Sequence, residues 1–300
     1  TSDEMEIEIL NASGSKPMGK IVVNESTTIK NVKDKIHQTV KKSLAPNRQA
    51  IRLEAKGKIL KDEEILGALN IRDGSKLFVK DLGPQISWTA VFLAEYAGPL
   101  FIYLWVYQRP WILYGTTTEE PGLVATVATA CWSFHYAKRL LETVFVHRFS
   151  HGTMPLRNLF RNCAYYWLFT LYVAYHINHP LYTPSFCVIW KLKLFCELGN
   201  LSIHILLSNL RPPGTKVRKI PVPDSNPFSL LYNFVSCPNY TYEFGSWLFF
   251  TIMTKCAPAG LFAAAGCYQM SVWALVKHKN YQKEFSNYPK GRKAILPFIL

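Results

Sequence analysis

Seven consecutive residues, Cys237-Pro238-Asn239-Tyr240-Thr241-Tyr242-Glu243, place an amide, two phenols and a carboxylate inside sequence otherwise apolar enough to lie in a bilayer. Such groups are costly at membrane depth and face a protein-lined cavity, so the cluster reads as a reaction or transport site. The plainer alternative is that they only hydrogen-bond neighbouring helices. Four acids, Glu243 of this motif with Glu95, Glu142 and Glu197, lie in or beside apolar runs. An unpaired carboxylate there must protonate or find a cation. Glu142 has Arg139 three residues before it, with Lys138 and His135 close by, which favours a structural ion pair on one helix face. Glu95 has no cation nearby in sequence and is the stronger functional candidate.

The elements that must hold these groups differ along the chain. Residues 1–83 carry 15 Lys+Arg and 12 Asp+Glu, an ordinary soluble mixture. The other 217 residues hold 19 basic and 8 acidic groups, so most of the net +14 lies there. The basic residues cluster between long apolar runs: Arg148, Arg157 and Arg161; then Arg211, Lys216, Arg218 and Lys219; then Lys277, Lys279, Lys283, Lys290, Arg292 and Lys293. That pattern fits a polytopic membrane protein with cationic cytosolic loops. The spans expected are Ile86–Tyr107, Leu123–Val146, Cys163–Ile177, Ser185–Ser208, Phe228 to about Phe250, and Ala257–Val276. The fold class expected is a mainly α membrane protein of about six transmembrane helices, six to seven, behind a small front domain, with both termini cytosolic. No cleavable signal is expected ahead of the first span, because the first 80 residues are polar and patterned like a small domain.

In that front part Met5, Ile7 and Ile9 alternate with polar residues, as do Ile21–Val23, which predicts half-buried strands. Ile29, Val32 and Ile36 recur at helical spacing over Thr28–Val40. Strands near Ile51–Leu53 and Lys76–Val79 complete a β-grasp sheet, and the stretch from Leu60-Lys61-Asp62-Glu63 through Asp73-Gly74-Ser75 to Val79 resembles ubiquitin-like domains. No di-glycine tail follows, so a docking or folding module is expected rather than a conjugated modifier. The domains expected are 1–80 and 81–300. Nucleic acid is excluded as a partner, since the aromatics lie in apolar runs rather than on a basic water-facing stripe. Seven cysteines, mostly in apolar segments, read as buried thiols.

Several long motifs occur together. KHKNYQKEFSNYPKGRKAILPFIL, GNLSIHILLSNLRPPGTKVRKIP and CPNYTYE resemble the steroid 5α-reductase superfamily; DLGPQISW, EYAGPLFIY, KRLLETVFVHRFSHGTMPLRN and INHPLYTP resemble its very-long-chain trans-2-enoyl-CoA reductases. The resemblance implies an endoplasmic-reticulum enzyme reducing the α,β double bond of a long trans-2-enoyl-CoA with NADPH, the last step of microsomal fatty-acid elongation. Its implied partners are the acyl-CoA, the lipid bilayer and the other membrane enzymes of the cycle: elongase, dehydratase and ketoreductase. Alternative readings are a reductase of a steroid or polyprenol enone, or a silent scaffold subunit of the elongation complex.

By the same resemblance Tyr240 is the proton donor or enolate stabiliser, with Tyr242 ranked below it. A phenol of reference pKa about 10 keeps its proton at neutral pH and can give it to a developing carbanion. Glu95 resembles the glutamate that orients the substrate carbonyl, with Gln85 as a lesser assistant. No G-x-G-x-x-G occurs, so a Rossmann site is not supported. The dinucleotide is expected instead on Asn200, His204, Arg211, Lys219, Asn239, Glu243, His278, Tyr281 and Arg292. His204 stands where steroid-reducing relatives carry an acid, and Lys219 where they carry arginine. The loop with His147, Arg148, His151, Arg157 and Arg161 is expected to meet CoA phosphates. No metal ligands are expected.

Overall fold

The computed structural model describes residues 4–149, 152–212, 215 and 218–300; His151 and Lys216 lie outside them. Contacts divide the chain into a front unit, which runs to Ser87 and takes in Gly152–Asn158, and a second unit made of the rest.

The front unit comprises strands β1 (Met5–Asn11) and β2 (Pro17–Val23), helix α1 (Ile29–Lys35) widening to π geometry over Ile36–Val40, and strands β3 (Gln49–Arg52) and β4 (Lys76–Asp81). The sheet order is β2-β1-β4-β3, with β1 and β4 parallel and the other pairs antiparallel. This is a ubiquitin-like β-grasp arrangement. Period-two alternation puts Ile7, Ile9, Ile21, Val23, Leu77 and Val79 on one face, against Ile29, Val32 and Ile36 of the helix. Thr28 caps α1, its hydroxyl accepting from the Asn31 amide at 3.3 Å. A second, two-stranded sheet pairs β5 (Gln85–Ser87) with β6 (Thr153–Pro155). The sequence reading did not anticipate it, because three residues are too few for an alternating signal.

In the second unit the helices are α2 (Trp88–Tyr107), the single turn α3 (Trp111–Tyr114), α4 (Leu123–Phe145), α5 (Arg157–Asn178), α6 (Trp190–Asn209), α7 (Pro238–Thr254) and α8 (Ala257–Glu284). Four expected spans change, one of them because α6 begins at Trp190 rather than Ser185. The run from Phe228 is two pieces, a 3-10 segment over Pro227–Asn233 and then α7, which starts with proline at a position needing no amide donor. Helix α5 begins at Arg157 rather than Cys163, since Arg157, Arg161 and Asn162 interrupt the apolar signal but not the helix. Helix α8 continues past Val276 to Glu284.

Among the described residues α2 and α8 are long and apolar enough to cross a membrane. Helices α4 and α6 carry their charges inward, α5 opens with two arginines, and α7 has only 17 residues. The apolar core centres on Trp132 of α4, stacked on Tyr103 at 4.9 Å and met edge-on by Trp247 at 5.1 Å. Helices α6 and α7 approach closely at Gly199, where a Cβ would stand 2.6 Å from the Tyr242 ring.

Candidate active site

Helix periodicity gathers two polar stripes. On α4, His135, Lys138, Arg139 and Glu142 share one face; on α6, Lys193, Glu197, Asn200 and His204 do, at spacings of four, three and four. The stripes meet inside the bundle. Glu197 accepts from Lys193 at 2.6 Å, from the Ser246 hydroxyl at 2.6 Å and from Lys138 at 2.9 Å, and lies 2.9 Å from His135 Nδ1. Glu142 is bound by Arg139 at 2.7 Å and lies 3.1 Å from His204 Nδ1. Each buried charge thus has a partner, the condition under which burial is tolerable. Glu142, His147 and His204 hold ligand atoms within 4.8 Å of one another. The Arg139 guanidinium, against Glu142 and 3.2 Å from His204 Nδ1, already takes the place of a bound cation.

Above the network opens a cavity of about 410 Å³. Helix α7 starts at the cavity: the first turn after Cys237 presents Asn239 and Tyr240 to it. The C-terminal tail fixes that turn, because Cys237 N donates to Ala294 O at 3.1 Å and the Thr241 hydroxyl donates to Ile295 O at 2.5 Å. Arg139, Arg148, Arg211, Arg218, Lys219 and Lys277 all reach the lining, with His147 and His204, and no carboxylate does among the described residues. Arg148 and Arg211 each donate to the other's backbone carbonyl, which pins two like charges side by side. Burial, and after it the Arg139 guanidinium, push the His147 imidazole down to about 3, so that it stands neutral.

The lining brings together Tyr240, His204, Arg211, Lys219, Asn239 and Tyr281 of the residues expected from sequence. Four others support it from behind. Asn200 accepts from Lys138 at 2.6 Å and donates to Asn239 O at 3.0 Å. Glu243 accepts from the Trp247 indole at 3.1 Å and lies 3.4 Å from His135 Nε2. His278 shares a 2.6 Å hydrogen bond with Ser236, and Arg292 donates to Pro221 O at 2.9 Å. Glu95 is absent from the lining; it accepts from Asn162 at 2.7 Å, one helical turn along α2 from the lining residue Phe92. Tyr242 packs on Gly199 and donates to Phe228 O at 3.0 Å, a packing role. Gln85 forms its side-chain bonds within the front unit, to Leu82 O, Gly83 O and Thr153.

Sequence reading missed two contributors. Lys277, counted there as a loop charge, donates to the Tyr240 hydroxyl at 2.9 Å. Lys193 also went unread, although its helical spacing to Glu197, Asn200 and His204 was the available signal.

Comparison with known proteins bears on this arrangement. Residues 152–300 match the family described as 3-oxo-5-alpha-steroid 4-dehydrogenase, and residues 5–81 match that described as TECR, ubiquitin-like domain. A Caenorhabditis elegans protein described as a probable very-long-chain enoyl-CoA reductase is 54% identical, over 93% of this chain and 93% of its own. A Dictyostelium discoideum very-long-chain enoyl-CoA reductase is 43% identical over 99% and 100%. A human protein described as trans-2,3-enoyl-CoA reductase-like is 43% identical over 98% of this chain and 84% of its own. Identity of this extent over nearly the whole chain shows that it belongs to the very-long-chain enoyl-CoA reductase family.

Proposed function

We propose that this chain reduces the α,β double bond of a very-long-chain trans-2-enoyl-CoA to the saturated acyl-CoA with NADPH, as the last step of microsomal fatty-acid elongation. The observation that carries the reading is the cavity: a phenol at a helix start, six Arg or Lys side chains around it and no carboxylate among the described lining residues. Pyrophosphate, a ribose phosphate and the CoA phosphates are the anions such a lining suits, with Arg as a bidentate donor and Lys as a point charge. A dinucleotide therefore fits the residues present.

NADPH, when bound, supplies the hydride to Cβ. Arg211, Lys219 and Arg218 hold its phosphates, and Arg148, pinned against Arg211, reaches the CoA end. Asn200 fixes Asn239 from behind. His204, His278, Tyr281, Glu243 and Arg292 complete the cofactor side, by lining it or by bracing the turn and the tail. Tyr240 delivers its phenolic proton to Cα as the enolate electron pair moves onto that carbon. Glu95, held by Asn162 one turn from the lining residue Phe92, is the group assigned to orient the thioester carbonyl.

The same reading places the protein in the endoplasmic-reticulum membrane with about six spans and both termini cytosolic. Phe145, Phe160 and Leu181, exposed at 78%, 69% and 84%, suit contact with lipid. Residues 1–80 serve as a cytosolic module for docking the elongase, dehydratase or ketoreductase, and residues 81–300 as the reductase proper. The test is an assay of purified protein with a C18 or longer trans-2-enoyl-CoA. Tyr240→Phe is expected to lose about 10² to 10⁴ in kcat, the usual contribution of a positioned acid. Equal rates would move the proton donor elsewhere.

A further inference from the structure

Among the described residues, the one side-chain hydrogen bond of the cavity cation Lys277 is to the reacting tyrosine. Its Nζ lies 2.9 Å from the Tyr240 hydroxyl oxygen and 4.6 Å from the ring centroid. Together these distances put the nitrogen beside the oxygen, where a lone pair points, rather than over the ring face. An ammonium has three donors and no acceptor, so in this contact the phenol oxygen accepts. The phenolic hydrogen is thereby left over. The Tyr240 hydroxyl has no other hydrogen-bond partner among the described residues, and the residue lines the cavity. Lys277 in turn has no carboxylate partner among them. Arg218, another lining cation, does have one, since it pairs with Glu284 at 2.9 Å. Helix α8 holds Lys277 in place, because Ala274, one turn earlier, is fully buried against the cluster of Cys237, Met270, Ala294 and Ile295.

We propose that Lys277 is the positioning residue of the reaction: its ammonium holds the Tyr240 oxygen as an acceptor, which turns the phenolic proton toward the substrate, and balances the phenolate left after transfer. This rests on the reading of Tyr240 as the proton donor. In the step, the O–H bond of Tyr240 breaks and a Cα–H bond forms with the enolate electron pair, while the phenolate keeps the O–H pair beside the ammonium. A proton from solvent then restores the phenol. The hydride and this proton together account for both hydrogens gained by the double bond. The titratable and charged groups around the pair are Cys237 on the adjoining turn, Tyr281 one turn along α8, and Arg211, Arg218 and Lys219 across the cavity.

The competing role is phosphate binding, which the neighbouring cations would share, and the experiment separates the two. In the purified full chain, kcat and KM for a trans-2-enoyl-CoA, the solvent deuterium isotope effect on kcat, and the Kd for NADPH by fluorescence are measured for the parent, Lys277→Met and Lys277→Arg. Lys277→Met is expected to lower kcat by roughly 10- to 100-fold, the worth of a hydrogen bond to a charged group, and to raise the solvent isotope effect. KM and the NADPH Kd should stay within about twofold on the same principle, since no ligand bond is removed. Lys277→Arg should restore most of kcat. An unchanged kcat in Lys277→Met, a loss that appears in the NADPH Kd instead, or an arginine variant as slow as the methionine variant would each overturn the assignment. Normal NADPH affinity in the methionine variant also shows that the protein is folded. Tyr240→Phe is run alongside: if it remains active, the proton-donor reading fails; if it is slow while Lys277→Met is fast, only the lysine role fails.

Discussion

The same ion pair occurs in both units, in opposite settings. In the front unit Lys20 and Glu6 meet at 2.6 Å with their side chains 62% and 51% exposed, over a core of Ile7, Ile9 and Val32. In the second unit Lys193 and Glu197 meet at the same 2.6 Å with 1% and 2% exposed, while Phe145 and Leu181 are largely uncovered. One unit keeps this pair outside its apolar core; the other buries the pair beside its apolar core and leaves large apolar side chains uncovered. Water rewards the first arrangement. Lipid makes the second necessary, because the bundle interior is then the most polar place available to a charged side chain.

The comparison breaks most visibly at the charges. Glu197→Ala would leave Lys193, Lys138 and His135 without their shared partner, a loss of about 3–5 kcal/mol, against about 0–1 kcal/mol for Glu6→Ala. Thermal unfolding of the two variants in micelles checks this, and similar midpoints would contradict the contrast. Next comes the front core, where Ile7→Ala should cost about 2–5 kcal/mol. Amide exchange should rise in β1 and β4 while reduction by the second unit continues, so parallel loss of both would refute their separateness. Gly199→Ala is expected to cost about 1–3 kcal/mol, since the Tyr242 ring is hemmed in by Phe195 and Phe228 and cannot easily retreat.

The smallest effect concerns pH. Arg48 donates to both Asp81 carboxylate oxygens, at 3.1 and 2.7 Å, and this hydrogen bonding holds the Asp81 carboxyl below its usual range. A lowered carboxyl contributes stability above the unfolded value, about 3.9, and loses it as pH falls through the folded value. Protection of the β4 amides, measured against their intrinsic exchange rates, should therefore fall below about pH 4, slightly because the pair is partly exposed. Asp81→Asn should flatten that dependence.

The front unit was readable because its alternation at Met5–Ile9 and its helical spacing at Ile29, Val32 and Ile36 follow directly from which faces meet water. The break at the start of α7 was readable too, since Pro238 and Asn239 interrupt an apolar run beside Tyr240. Lys277 was not. Its charge looks like any other in a basic segment, and only the fold brings α8 beside the start of α7. What hid for a related reason is the meeting of the α4 and α6 stripes: Glu197 pairs with His135 and Lys138 across helices, and inward charge lowers the very hydropathy by which spans are recognised.

The central claim, hydride to Cβ and a protein-delivered proton to Cα, is tested most directly by isotope placement. A long trans-2-enoyl-CoA is reduced with NADPH deuterated at the nicotinamide C4 position, and separately with ordinary NADPH in deuterated water, and the saturated product is mapped by mass spectrometry. The account predicts one deuterium at Cβ from the cofactor, one at Cα from solvent, and a rate that collapses in Tyr240→Phe. A product without cofactor deuterium, or with the two positions exchanged, would contradict it.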